Sequence, residues 1–221
     1  MRLLDNIAKS THGCEGNFFT NKTILEVGCG TGLCSIAVAK LAGHKNSSEN
    51  EEEFLGKNSR FYATDGNEEV VELARLNARL NGLTSDFFRV NQLKWSFLDA
   101  MEYSDEVDLV FGSDLTYNAN SWPSLAQTVS TVLKPESGVF LYLTCGHAGF
   151  SLNSELTGFV SVAQSEGLTR LTETDARWPF RDPNTGISIS LSSLLQQSLS
   201  RADKDVTDLN GGTRILVFVC L

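Results

Sequence analysis

The run Glu26-Val27-Gly28-Cys29-Gly30-Thr31-Gly32 constrains this chain more than any other stretch of it. It stands where an apolar, β-branched run, Thr23–Val27, gives way to a helical spacing that begins at Leu33. Glycine at three alternate positions lets the backbone turn sharply and lets a ligand approach the main chain with no side chain in the way. The start of the following helix adds backbone N–H groups that have no partner within the helix. A strand, a glycine turn and a helix in that order form the opening unit of a parallel α/β sheet, with its ligand expected at the carboxyl ends of the strands.

The rest of the chain repeats the alternation. Leu33, Ile36, Ala37 and Leu41 share one helical face, with Gly43 as its stop. Residues 43–59 are polar, hold four acids among Glu49–Glu53, and read as an exposed insertion. Strands are predicted at Arg60–Thr64, Phe87–Asn91, Val107–Gly112, Gly138–Thr144, Leu168–Glu173 and Thr213–Cys220. Between them fall helices over about Glu68–Asn81, with Leu73, Leu76 and Leu80 as the apolar stripe, and from Ser121 as N-cap with Pro123 in the first turn. Another helix carries Leu156, Phe159, Val160 and Ala163 and ends at Gly167. Residues 1–22 are taken as a short N-terminal helical segment, and the whole of 1–221 as a single domain. Asp175–Gly212 carries no clear period, and Ser188–Ser200 fits helix or strand. Right-handed crossovers between such units give an open sheet covered by helices.

Charge and cysteine use narrow the function classes. Lys plus Arg number 18 against 27 Asp plus Glu, a formal charge of −9, and nucleic-acid binders ordinarily need the opposite surplus. No apolar run is long enough for a membrane span, and the first ten residues lack a signal peptide's apolar block. The five cysteines, Cys14, Cys29, Cys34, Cys145 and Cys220, contain no Cys-x-x-Cys pair. A reducing, cytoplasmic setting is expected, with neither a disulfide framework nor a metal site. His12, His44 and His147 have no spacing that suggests a metal or a triad, and Cys145-Gly146-His147 is a poor nucleophile candidate without an orienting third group.

The dinucleotide fingerprint is Gly-x-Gly-x-x-Gly, whose helix start faces a pyrophosphate. This chain is one residue tighter and places the acid Glu26 two positions before Gly28. That arrangement suits a ligand with an amine and no phosphate, such as S-adenosylmethionine. Asp65 closes the second strand, where an acid can accept from both ribose hydroxyls. It can equally cap the next helix, in Asp65-Gly66-Asn67-Glu68. The insertion accounts for its lying beyond the usual spacing of about 20 residues.

With EVGCGTG, then TDGN after the second strand and SDLTY after the fourth, the chain resembles the seven-β-strand methyltransferases. The Asp-x-x-Tyr of Asp114–Tyr117 is similar, more narrowly, to the protein-lysine methyltransferases of methyltransferase family 16. The likeness runs from about Thr23 to Thr144. It implies a Rossmann-like seven-stranded sheet of order 3-2-1-4-5-7-6, strand 7 antiparallel, with helices on both faces. It also implies S-adenosyl-L-methionine as cofactor, with Glu26 near the methionine amine and Gly28, Cys29, Gly30 and Gly32 along the backbone cradle. Asp65, with Gly66 and Asn67, goes to the ribose. Leu93 and Trp95 go beside the adenine, and Ser113 borders the methionyl part. Lys94 stands where that family commonly has an acid. Asp114 and Tyr117 become the catalytic pair, orienting a lysine amine and walling it in.

The resemblance implies a protein substrate presenting a lysine; the acidic charge balance and the lack of an apolar span add the expectation of no nucleic acid and no membrane, and a monomer is expected. A small-molecule amine N-methyltransferase and a non-catalytic cofactor-binding module are the alternatives. Family members commonly have a longer, Trp-bearing segment before strand one, so Asp175–Ile187 is a candidate to cover the site instead. Trp178-Pro179-Phe180 within it reads as a core plug or a groove wall.

Overall fold

The computed structural model describes residue 19 and residues 21–43, 59–83, 86–144, 152–181, 185–190 and 214–220. Strands form where β-branched and aromatic residues alternate between two covered faces. They are β1 (Thr23–Val27), β2 (Arg60–Asp65), β3 (Phe88–Gln92), β4 (Leu109–Ser113), β5 (Val139–Thr144), β6 (Leu168–Arg170) and β7 (Arg214–Cys220). They join in one sheet of order β3-β2-β1-β4-β5-β7-β6. All pairings are parallel except those of β7, which runs antiparallel to β5 and β6. The helices are α1 (Leu33–Gly43), α2 (Glu68–Leu80), the one-turn α3 (Phe97–Ala100), α4 (Trp122–Val132) and α5 (Leu152–Ser165). Both the expected strand order and the antiparallel seventh strand are present.

The core divides across the sheet as the pleat requires. Ile24, Phe61, Ala63, Phe111 and Leu141 face α1 and α2. Leu25, Val27, Val110, Phe140 and Tyr142 face α3, α4 and α5. On the second face Phe140 stacks against Phe218 at 5.8 Å, and Phe159 of α5 meets Phe218 edge-on. Such offset and edge-to-face pairs add to what area burial alone contributes.

Several local readings change. Leu73, Leu76 and Leu80 do not form the inner face of α2; they are exposed, and Val71, Ala74 and Ala78 are buried instead. The physical reason is close approach: a Cβ on Gly32 would lie 3.3 Å from the Cβ of Ala74, so only small residues fit between helix and glycine turn. Leu33 is likewise exposed, whereas Ile36, Val38 and Ala39 are buried. Ser121 does not cap α4 with its side chain; its hydroxyl donates to Asn118 O, and the turn Ala119–Ser121 precedes the helix. Strand β4 begins at Leu109, with Val107 making only an isolated bridge to Leu133. Strand β6 ends at Arg170, and Thr172 donates its backbone N–H and hydroxyl to the Asp175 carboxylate in a tight turn.

Of the open aromatic cluster, Trp178 and Phe180 are core, with the Trp178 indole N–H donating to Ile189 O. The N-terminal segment apart from Phe19 and Asn21–Lys22, nearly all of the insertion at 43–59, and residues 191–213 lie outside the described residues. So do Cys14, Cys145, His12, His44 and His147.

Candidate active site

The end of β1 sets the site. Gly28, Gly30 and Gly32 all have positive φ, at 65°, 54° and 82°, where an L side chain costs roughly 1–2 kcal/mol. The turn is tied to β2 by Cys29 N, which donates to Thr64 O at 2.8 Å. Asp65 then reaches back: Oδ2 accepts from Gly30 N at 3.1 Å and Oδ1 from Asn67 N at 3.0 Å. Helix α2 is capped by Asn67, whose side-chain oxygen accepts from Glu69 N. Asp65 therefore does not cap it and instead braces the glycine turn.

Three strand ends complete a cleft of about 610 Å³, within the usual size of a small-molecule site. Its lining brings Gly28, Gly30, Asp65, Gly66, Leu93 and Trp95 together with Ser113, Asp114 and Tyr117. Leu93 is drawn in by its backbone N–H, which donates to Asp65 O. Asp114 has a φ of 54°, and Tyr117 is 63% exposed, so the tyrosine belongs to the rim and not to the core. Lys94 also lines the cleft. Of the residues singled out from sequence, Glu26, Cys29, Gly32 and Asn67 stand behind this wall rather than in it. The described parts of Asp175–Ile187 do not line it either.

Sequence reasoning passed over Leu115. A Cβ on Gly28 would lie 2.5 Å from Leu115 Cδ2, and one on Gly112 would lie 2.5 Å from Leu115 Cδ1. The leucine is thus wedged between the ends of β1 and β4, linking the glycine turn to the Asp114–Tyr117 segment. It also passed over Asn118, Asn120, Ser121 and Ser124, a polar rim contributed by the approach to α4. The glycine at 112, directly before Ser113-Asp114, was the one readable hint of that wedge.

Glu26 is buried, and its Oε2 accepts from the backbone N–H of Ser35 at 2.9 Å and from the Ser35 hydroxyl. Burial pushes its carboxyl up to about 7 from 4.5, against the Ser35 donors, which lower it. Because the folded value lies above the unfolded one, the folded state holds the extra proton between them. The stability that Glu26 contributes is fully present below about pH 4.5 and is lost as pH rises to about 7. At 1.36 kcal/mol per pH unit this is about 3 kcal/mol. Glu26→Gln is expected to remove that slope. Measured by urea unfolding, the variant should gain about 2.5 kcal/mol on the wild type between pH 5 and pH 8; a constant gap would mean that the carboxyl is ionised throughout.

Burial also pushes the Cys29 thiol up, with the Glu26 and Asp65 charges adding to it, so Cys29 is not a nucleophile near neutral pH. Among the described residues no group of His, Cys, Asp and Glu is placed to hold a metal. No described helix is long and apolar enough to cross a membrane.

The sequence profile of a family described as lysine methyltransferase matches residues 3–150. The protein-lysine N-methyltransferase EFM3 of Chaetomium thermophilum is 29% identical over 169 residues, which are 66% of this chain and 46% of that protein. A histidine protein methyltransferase 1 homolog of Dictyostelium discoideum is 28% identical over 125 residues, 55% of this chain and 35% of that one. The chain thus spans less than half the length of either relative. A geranyl diphosphate methyltransferase solved in complex with SAM superimposes with a TM-score of 0.51 at 15% identity, covering 98% of this chain and 81% of that one. At that identity the likeness is one of fold.

Proposed function

The chain belongs to the lysine methyltransferase family, and we propose that it transfers a methyl group from S-adenosylmethionine to a lysine side chain of a protein. The observation that carries this reading is the meeting of the bare glycine turn and the Asp114–Tyr117 segment in one cleft. The residues fit the cofactor. A Cβ on Gly30 would meet nothing within 4 Å, which leaves exposed main chain facing open space for a nucleoside to lie against. Gly28, Gly30 and Gly66 would offer backbone, and Leu93 and Trp95 an apolar wall for the base. Asp65 already accepts two N–H bonds, and a carboxylate has about four acceptor positions, so it retains capacity for ribose hydroxyls. The bound cofactor would supply an electrophilic methyl on a sulfonium.

The chain's own work is to present the acceptor. A lysine amine must be neutral to attack, and with an ordinary lysine pKa of about 10.4 this costs roughly 4 kcal/mol near pH 7.4. Asp114 would orient the amine and take up its proton. Tyr117 would wall the amine in and hold it by ring contact while it is still cationic. The exposure of Tyr117 at the rim favours an acceptor carried on a macromolecule over a small amine enclosed in a chamber.

The test is incubation of the full chain with methyl-tritiated S-adenosylmethionine and a total protein extract, followed by acid hydrolysis and amino-acid analysis. Label in methylated lysine is expected. Label confined to methylhistidine, the acceptor named for the Dictyostelium discoideum relative, would replace the lysine assignment. Label confined to small amines would establish the alternative amine substrate. Cofactor binding with no acceptor labelled would point to a binding module.

A further inference from the structure

The backbone of Asp114–Tyr117 is held from below by a buried polar chain, Thr116, Tyr142 and Glu155, that does not line the cleft. Leu115 N and Thr116 N both donate to the Tyr142 hydroxyl oxygen, each at 3.1 Å. The same oxygen lies 2.7 Å from Thr116 Oγ1, and the Thr116 hydroxyl donates to the Glu155 carboxylate. That donation fixes the direction of the 2.7 Å contact, because a hydroxyl has one proton to give: Tyr142 O–H donates to Thr116 Oγ1. Thr116 O accepts from the Trp122 indole N–H at 2.9 Å, and Asp114 N donates to Leu143 O at 3.0 Å.

Thr116, Tyr142 and Glu155 are each fully buried. Burying a carboxylate is costly even when it is paired. Glu155 occupies the stripe of α5 that continues through Phe159 and Ala163, both fully buried and apolar. An apolar side chain at 155 would complete that stripe without the desolvation cost. Glu155 supplies an acceptor for Thr116, which a leucine would not. Meanwhile Asp114 sits in left-handed backbone, a conformation that lasts only where its surroundings over-determine it.

We infer that Glu155 and Tyr142, acting through Thr116, are positioning residues that hold Asp114 and Tyr117 in the geometry that receives the acceptor amine. The inference rests on the methyl-transfer reading of that pair. Their hydrogen bonds go to the Asp114–Tyr117 segment, while the Leu115 side chain, packed against Gly28 and Gly112, separately fixes the glycine turn.

The experiment compares Thr116→Val with Thr116→Ser in the full chain, using tritiated S-adenosylmethionine with total protein extract, and S-adenosylhomocysteine for binding. Thr116→Val is expected to lower the rate at saturating S-adenosylmethionine by at least twentyfold. The KM for S-adenosylmethionine and the affinity for S-adenosylhomocysteine should stay within threefold. Thr116→Ser, which restores the hydroxyl, should return the rate to within threefold of wild type. Hydrogen exchange should show the Leu115 and Thr116 amides opening at least tenfold faster in the valine variant, with β5 unchanged. Equal losses in the two variants, or unaltered exchange, would overturn the inference. Should wild type label no protein, the functional reading fails by itself, and the exchange comparison still decides whether the anchor exists. If Thr116→Val does not fold, Glu155→Gln against Glu155→Leu asks the same question. The glutamine keeps an acceptor oxygen and should stay within fivefold, whereas the leucine should behave as expected for Thr116→Val; equal activity of those two would overturn the inference.

Discussion

Gly28→Ala is expected to abolish binding of S-adenosylhomocysteine, while Gly82→Ala leaves it intact. Both glycines have positive φ, at 65° and 74°, so both variants carry the same left-handed penalty of about 1–2 kcal/mol. They differ in what the new methyl meets. At Gly82 nothing lies within 4 Å; at Gly28 the methyl would stand 2.5 Å from Leu115 Cδ2. A leucine terminus can ordinarily swing away, but the other methyl of Leu115 is already pressed against Gly112, and the residue is buried. Relief must therefore come from moving the turn off Leu115 or from moving Leu115 together with Asp114 and Tyr117. Either movement deforms the cleft. Calorimetric titration with S-adenosylhomocysteine should register a loss of at least a hundredfold for Gly28→Ala, about 3 kcal/mol. A thermal melt should show both variants destabilised, Gly28→Ala the more. Binding within tenfold of wild type would mean that the turn is not the ligand's cradle.

The same contrast explains how far the sequence could be read. The glycine turn, the existence of each strand and the strand order were legible because they depend on local periods and on one family likeness, whereas strand bounds such as the end of β6 at Arg170 were not. The burial of α2 was not. Its leucines at 73, 76 and 80 satisfy a helical stripe, yet the helix presents Val71, Ala74 and Ala78 to the core. Spacing reports that a stripe exists, and only the gap beside Gly32 decides which stripe fits. Leu115 was hidden for the same reason: its importance lies in two glycines, one of them far away in sequence. Glu155 was illegible in another way. A glutamate in a helix reads as a solvated charge until the fold brings Thr116 over it.

Asp114→Asn should lower turnover by about a hundredfold at pH 7.5 and leave S-adenosylhomocysteine affinity within threefold. Asparagine is the right replacement because residue 114 has a φ of 54°, which Asn tolerates at least as well as Asp and Ala does not. An alanine variant would confound strain with chemistry. The amide keeps the size of the side chain and an acceptor oxygen for orienting an amine, but it cannot take up a proton. A hundredfold loss corresponds to about 2.7 kcal/mol of barrier.

The pH dependence then separates the two roles. At limiting acceptor Asp114→Asn needs lysine that is already neutral, so its rate rises nearly tenfold per pH unit between 7 and 9 and levels off toward the lysine pKa of about 10.4, whereas a wild type that keeps the amine's proton on Asp114 is nearly flat over that range. If Asp114 accepts the proton as the amine enters, the deficit of Asp114→Asn narrows as more acceptor arrives already neutral. If Asp114 only orients, the deficit is the same at every pH. We expect narrowing, because a carboxylate that did no more than bind the cation would stabilise the form that cannot react. A wild-type rate for Asp114→Asn at pH 7.5 would remove Asp114 from the reaction, leaving Tyr117 and the glycine turn to account for whatever transfer is seen.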